Sequence, residues 1–307
     1  MRLRHPFNLG RDPGAIRIRK AEGYFGSGQA SIPGRLVMDG IDLLRGAFVR
    51  MDDYSLDAVA REVLGEGKAV TGDVRDRVAE IIHNYRHDLP AFALYARTDA
   101  RLAYEIVAKL NVISLSVARS QLTGMTPDRV AASIASFDFL YLTELEKLGI
   151  VAPSVRSSDS RVYDAQQGGH VLEPVTGLHR NVWVFDFRSL YPSIIRTFKI
   201  DPMGMAFPGD DPIEGFDGAR FSRDRHILPG LIEELWARRD EAKRRRNAPL
   251  SQATKILMNS FYGVLGTPAC RFYSPRLASS ITRRGHEIIT RSRDWLIERN
   301  HRVIYGD

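Results

Sequence analysis

Cysteine is almost absent from this chain: 307 residues carry one, Cys270. A single thiol excludes an internal disulfide framework and a cysteine-rich zinc site, and it suits a reducing compartment. No apolar run approaches the roughly 18 residues of a membrane-spanning helix. The opening MRLRHPFNLGRD also lacks the apolar core of a secretion signal. The expected location is the cytoplasm, without membrane contact. Acid is in deficit too, with 37 Asp and Glu against 44 Lys and Arg, a formal net charge of +7. The basic residues gather between Arg220 and Arg246 and again between Arg271 and Arg302, which makes a polyanionic partner reasonable. Apolar residues at 44% and charged residues at 26% are ordinary for a globular chain with room for two or three cores.

What is present is organised around Val184–Ile195, VFDFRSLYPSII. Trp183, Val184 and Phe185 form a β-favouring apolar run that predicts a strand, with Asp186 where the chain leaves it. A carboxylate ending an apolar strand is costly unless a cation or a cationic side chain meets it. Ser189, Leu190, Tyr191 and Pro192 then predict a tight turn whose N–H groups can receive phosphate oxygens as a helix begins. The plainer alternative is a capped strand-to-helix turn.

Elsewhere, residues 1–35 predict loops with short strands, Gly34–Asp39 a strand, and Ile41–Phe48 a helix. Asp39 and Asp42 read as acids at that helix's start rather than as metal ligands. Ser55–Leu64 predicts a helix capped by Ser55 and stopped by Gly65 and Gly67. Leu89–Leu110 predicts another, with Tyr95 and Asp99 four apart on one face. Val130–Leu148 predicts a third, ended by Gly149, before a Ser-rich connector from Pro153 to about Gln167. A Gly/Asp/Pro-rich loop is expected between Asp201 and Asp217. From Leu228, LPGLIEELWARRDEAKRRR predicts a helix with Pro229 in its first turn. Leu231, Leu235 and Trp236 make its apolar face, and Arg239 and Lys243 point together, on a phosphate or simply into solvent. After a break at Asn247–Pro249, a second helix over Ser251–Phe261 completes a helical hairpin. On it Lys255, Asn259 and Tyr262 recur at i, i+4 and i+7, a stripe that is poor core material and better suited to facing a phosphate. Arg271–Trp295 predicts a further helical piece, and Arg302–Tyr305 a last strand that brings Asp307 to the same edge as Asp186.

Three of these stretches resemble the motifs of the family B DNA polymerases, in the family's order. DFRSLYPSI resembles the first, KILMNSFYG (Lys255–Gly263) the second, and VIYGD (Val303–Asp307) the opening of the third, which in the family continues with Thr, Asp and Ser. The resemblance covers almost the whole chain, and LGEGKAV, SLYPSIIRTF and RLASSIT are most similar to the bacterial DNA polymerase II branch.

The resemblance implies an α/β and α+β multidomain fold. Residues 1–150 would be the C-terminal part of an RNase H-like 3′→5′ exonuclease domain, 151–224 a connector and the first part of an antiparallel palm sheet, 225–270 the fingers hairpin, and 271–307 the second palm part, with no thumb. It implies template-directed transfer of deoxynucleotides to a primer 3′-hydroxyl. Asp186, the Phe187 backbone oxygen and Asp307 would hold two Mg²⁺ ions, or alternatively Mn²⁺, with Lys255 as the third catalytic group. Ser189, Leu190, Tyr191, Arg239, Lys243, Lys255, Asn259 and Tyr262 would bind the nucleotide. Tyr191 would lie under its sugar and exclude a 2′-hydroxyl, and Gly263 and Gly266 would keep the chain slim beside it. Tyr95 and Asp99 match the exonuclease's third motif. Its D-x-E strand motif and second Asp motif have no counterpart here, so this half is not expected to hydrolyse DNA unaided. Gly168-Gly169 resembles the family's Y-x-G-G turn, but Gln166 stands where relatives carry Tyr, so that role is not carried over. The implied partners are primer–template DNA, deoxynucleoside triphosphates, and a sliding clamp reached through a segment beyond Asp307. A non-catalytic nucleic-acid-binding remnant is the alternative.

Both ends look like cuts, and the chain reads as a fragment. The 307-residue polypeptide alone is therefore expected to bind DNA weakly, with strong salt dependence, and not to extend a primer in Mg²⁺. The family's acid two residues past the position of Asp307 is not in it. A labelled-primer extension assay checks this; extension that disappears in Asp186→Ala is the contrary result.

Overall fold

The computed structural model describes residues 9–19, 29–67, 74–155 and 171–307, which form two compact units, 1–132 and 133–307. The Gly168-Gly169 turn, Gln166 and the Lys68–Val70 end of LGEGKAV lie outside the described residues.

The first unit opens with a two-stranded antiparallel sheet, β1 (Arg17–Arg19) and β2 (Gln29–Ser31), with Ile18 opposite Ala30. Five helices follow: α1 (Gly40–Gly46), α2 (Leu56–Leu64), α3 (Val74–His87), α4 (Leu89–Lys109) and α5 (Val112–Thr123). Of these, α3 and α5 are not among the helices read from the sequence, while the ends of α1 and α2 follow from near residues. Asp39 accepts the Asp42 N–H and so caps α1, which settles these two acids as helix-start residues. Ser55 caps α2 and Gly65 ends it in the left-handed region, at φ 79°. The strand expected over Gly34–Asp39 does not form. Pro33 and Gly34 make a turn closed by an Ile32–Arg35 bridge, and the four residues after it are in neither strand nor helix. Arg119 of α5 is buried at 8% exposure and donates to the carbonyls of Gly46 (2.8 Å) and Val130 (2.6 Å), tying the end of α1 to the end of the unit. Burial lowers its pKa, the usual cost of a desolvated cation.

The second unit contains α6 (Ser133–Lys147), α7 (Leu190–Thr197), α8 (Pro202–Ala206), the hairpin β3 (Ile213–Glu214) and β4 (Arg220–Phe221), and the helices α9 (Leu228–Arg244), α10 (Ala248–Leu265) and α11 (Pro275–Glu298). The compact unit thus begins ahead of the 150/151 boundary read from the sequence. The reason is aromatic packing. Phe137 and Tyr141 of α6 are fully buried, stack on each other with centroids 5.2 Å apart, and meet Phe261 of α10 and Phe272. Arg271 adds an ion pair to Asp138 at 2.9 Å.

Among the described residues the strands are β1–β4, two small antiparallel pairs, and the second unit is mainly helical. Trp183, Val184 and Phe185 are not in a strand and are 80%, 88% and 76% exposed. A strand needs a neighbour for its N–H and C=O groups, and among the described residues none pairs with this run. Arg302–Tyr305 is not a regular strand either. Two backbone bonds run instead from Leu172 N–H to Gly306 O (2.8 Å) and from Val175 N–H to Ile304 O (2.9 Å), in an antiparallel sense.

A buried carboxylate organises the base of the helical hairpin. Asp201 has no exposed surface and accepts three hydrogen bonds: from Tyr141 Oη (3.0 Å), from Leu228 N–H at the start of α9 (2.7 Å) and from Gly204 N–H in α8 (2.8 Å). Met203 N–H donates to the Tyr141 oxygen at 3.0 Å. Burial raises the Asp201 pKa despite these bonds, and burial followed by the Asp201 charge raises that of Tyr141.

Asp201→Ala leaves those donors unsatisfied and is expected to cost about 3 kcal/mol or more of unfolding free energy, and Tyr141→Phe about 1–2 kcal/mol; denaturant titrations measure both. A carboxyl whose folded pKa is raised contributes stability that is complete below its unfolded value, about 3.9, and lost as pH rises through the folded value. The difference in stability between the parent and Asp201→Asn should therefore shrink as pH rises through that window.

Candidate functional site

The turn before α7 is short and strained. Ser189 sits at φ 49°, in the left-handed region that a residue with a Cβ seldom adopts, and its carbonyl accepts the Ser193 N–H at 2.9 Å. Ser193 Oγ also donates to Arg188 O at 3.0 Å, so the turn is clamped from within the helix. The first-turn N–H groups of α7, those of Leu190 and Tyr191 among them, have no intrahelical acceptor, as at any helix start.

α9 and α10 pack against each other as the expected hairpin, but its second limb is longer than Ser251–Phe261. Asn247, read as part of a break, accepts the Leu250 N–H at 3.1 Å and caps α10, with Pro249 in the first turn. Along α10, Ala253, Leu257, Phe261 and Val264 are buried, while Lys255 and Asn259 are exposed and Tyr262 is half-buried. The stripe read from the sequence therefore faces outward.

Charge pairing within the hairpin separates its cations into two groups. Arg238 pairs with Glu234 at 2.6 Å, and Arg244 and Arg245 both pair with Glu241. Arg239, Lys243 and Lys255 make no ion pair among the described residues. Arg239 goes further, since its Nε is buried and has no hydrogen-bond partner. A buried guanidinium N–H without an acceptor is costly, and an arriving anion would satisfy it.

The turn and the hairpin meet through two rings. Tyr191 of α7 and Tyr262 of α10 have centroids 4.6 Å apart at 50°. Gly285 of α11 lies beneath, and a Cβ there would come within 3.8 Å of Tyr191 and 3.7 Å of Ile194. Burial raises the Tyr191 phenol pKa. Gly263, next to Tyr262, is exposed within α10, and a Cβ there would meet nothing within 4 Å.

The groups expected to hold a cation stand on exposed segments. Asp186 and Phe187 stand on the exposed segment after Phe185, and Asp307, also exposed, accepts the Tyr305 hydroxyl at 3.0 Å, which raises that phenol's pKa. Two carboxylates and a main-chain carbonyl are the hard oxygen donors a divalent cation takes. Among the described residues, however, no group of three or more His, Cys, Asp or Glu side chains is arranged to hold a metal ion. In the first unit, Tyr95 and Asp99 are half-buried neighbours on α4; burial first, then a hydrogen bond to Asp99, raises the Tyr95 pKa. Sequence reasoning missed Arg188, which reaches α9, and Asp201. An Asp directly before Pro at a helix start was the available signal for the latter.

Comparison with known proteins places the chain in a family. The profile of DNA polymerase family B matches residues 130–211 and 216–307. The chain is similar to DNA polymerase II of Escherichia coli K12, at 44% identity over 311 aligned positions that cover 100% of this chain and 39% of that protein. It is also similar to a DNA polymerase of Thermococcus sp. 9oN-7, at 29% identity over 98% of this chain and 40% of that protein. A DNA polymerase of Archaeoglobus fulgidus is 29% identical over 98% of this chain and 38% of that protein. The chain thus spans about two fifths of these relatives.

Gly263→Ala removes a flexible residue from a helix interior without a clash, so it should stabilise the fold by about 0.5–1 kcal/mol. If the space beside Gly263 serves a ligand, the same variant should bind deoxynucleotide more weakly. Thermal unfolding and nucleotide titration of one protein sample read both effects.

Proposed function

The chain belongs to DNA polymerase family B, and from that premise we infer that it serves template-directed transfer of deoxynucleotides to a primer 3′-hydroxyl. The observation that carries this reading is the meeting of Tyr191 and Tyr262, which joins the phosphate-facing turn of α7 to the Lys255–Asn259–Tyr262 stripe. On α9, which packs against α7, Arg239 has a buried N–H that lacks an acceptor among the described residues.

In this reading the first-turn N–H groups at Ser189, Leu190 and Tyr191 take phosphate oxygens. Lys255 and Arg239 neutralise the triphosphate, Lys243 and Asn259 assist, and Tyr191 packs under the sugar where a 2′-hydroxyl would need room. Held in this way, the α-phosphate is oriented for attack, and orientation is a large share of the barrier in phosphoryl chemistry. Asp186, the Phe187 carbonyl and Asp307 are the groups that would hold the two divalent cations, Mg²⁺ or Mn²⁺, which supply charge neutralisation at the phosphates when bound. Residues 1–150 are assigned to an exonuclease part through Tyr95 and Asp99, and 151–224, 225–270 and 271–307 to palm, fingers and palm. The partners are primer–template DNA and deoxynucleoside triphosphates, with a sliding clamp as a further one, and the setting is the bacterial cytoplasm. Consistent with that setting, no helix among the described residues is long and apolar enough to cross a membrane.

That no group of three or more His, Cys, Asp or Glu side chains among the described residues is arranged to hold a metal ion favours a second reading, in which the chain holds nucleic acid and nucleotide without performing the transfer.

In the polymerase that contains this segment, Lys255→Ala and Arg239→Ala are expected to raise the nucleotide KM or lower kcat while leaving primer–template affinity and its salt slope nearly unchanged. A loss of DNA affinity that steepens with salt, with normal nucleotide kinetics, would instead place both residues on the duplex.

A further inference from the structure

Arg188 lies between Asp186 and the helix-starting Ser189, and the site described above gives its charge no task. Its Nη2 donates to both oxygens of Asp240, at 2.9 and 3.3 Å, and its guanidinium sits 5.2 Å from the centroid of the Trp236 ring. Trp236 and Asp240 are one turn apart on α9, so one face of that helix offers ring and carboxylate together. From the last turn of α7, Arg196 approaches the same ring at 5.1 Å. The Arg188 backbone is itself fixed, because its carbonyl accepts Ser193 Oγ at 3.0 Å.

This pair does not hold the unit together. The side chains of Arg188 and Asp240 are 61% and 45% exposed, and exposed ion pairs add little to stability. What the pair controls is register. Asp240 follows Arg239 directly, so anchoring Asp240 to the turn also sets where Arg239 stands. The pairing also cancels a carboxylate charge that would otherwise repel an incoming polyphosphate. We propose that Arg188 is a positioning residue: through Asp240 and Trp236 it keeps α9 in register with the phosphate-facing turn, so that Arg239 is within reach of a nucleoside triphosphate bound at the start of α7. The inference rests on the nucleotide-site reading above.

The test is calorimetric titration of dATP with Mg²⁺ into the 307-residue chain. The variants are Arg188→Ala, Arg188→Asp, the exchange Arg188→Asp with Asp240→Arg, and Lys255→Ala. Arg188→Ala should weaken binding about three- to fivefold, the size an exposed charge pair can supply, with an unchanged unfolding midpoint. Arg188→Asp should weaken it more, and the exchange should restore most of the loss. An exchange variant as weak as Arg188→Asp would overturn the proposal, since Arg188 would then act by its own charge and not through Asp240. Normal binding by Arg188→Ala with weakened binding by Lys255→Ala sinks the positioning role and leaves the nucleotide site standing. Normal binding by both, or no binding by the unmodified chain, sinks the site reading and this proposal together.

Discussion

The second unit depends on a carboxylate that water cannot reach. Asp201 joins three segments far apart in the sequence: α6 through the Tyr141 hydroxyl, α8 through Gly204 N–H and the first turn of α9 through Leu228 N–H. In a dry interior each bond is strong and each unsatisfied donor costly, so this carboxylate specifies one arrangement of the three segments. Phe137, Tyr141, Phe261 and Phe272 enclose that junction in aromatic packing. The direction in which α9 leaves the core is set at its first turn, and the hairpin carrying Arg239 and Lys255 extends from there.

The hairpin then divides its charge. Glu234 and Glu241 pair with Arg238, Arg244 and Arg245, which leaves Arg239, Lys243, Arg246 and Lys255 as the cations without an ion pair among its described residues. A basic composition alone is consistent with a diffuse affinity for polyanions. The uncompensated charge is thus carried by both helices and the turn between them, and α7 packs against both helices. Helix-start N–H groups and cations are together the groups that take phosphate oxygens.

Much of this was legible in the sequence by itself. Helix starts and stops depend on near neighbours: Asp39, Ser55 and Gly65 act within five residues of themselves, and the outward stripe of Lys255, Asn259 and Tyr262 follows from helical periodicity once α10 exists. The three motifs and their order carried the family. Other features depend on which distant segment comes alongside, and local pattern does not encode that. Trp183–Phe185 has the composition of a buried strand, yet it is exposed, and among the described residues no strand pairs with it. Asp186 and Asp307 are likewise exposed. By sequence Asp201 only opens a loop; packing against α6 and α9 makes it a buried junction. The ring contact between Tyr191 and Tyr262, and the reach of Arg188 to Asp240, were likewise decided in three dimensions, because each joins side chains whose separation is set by how helices pack and not by spacing along the chain.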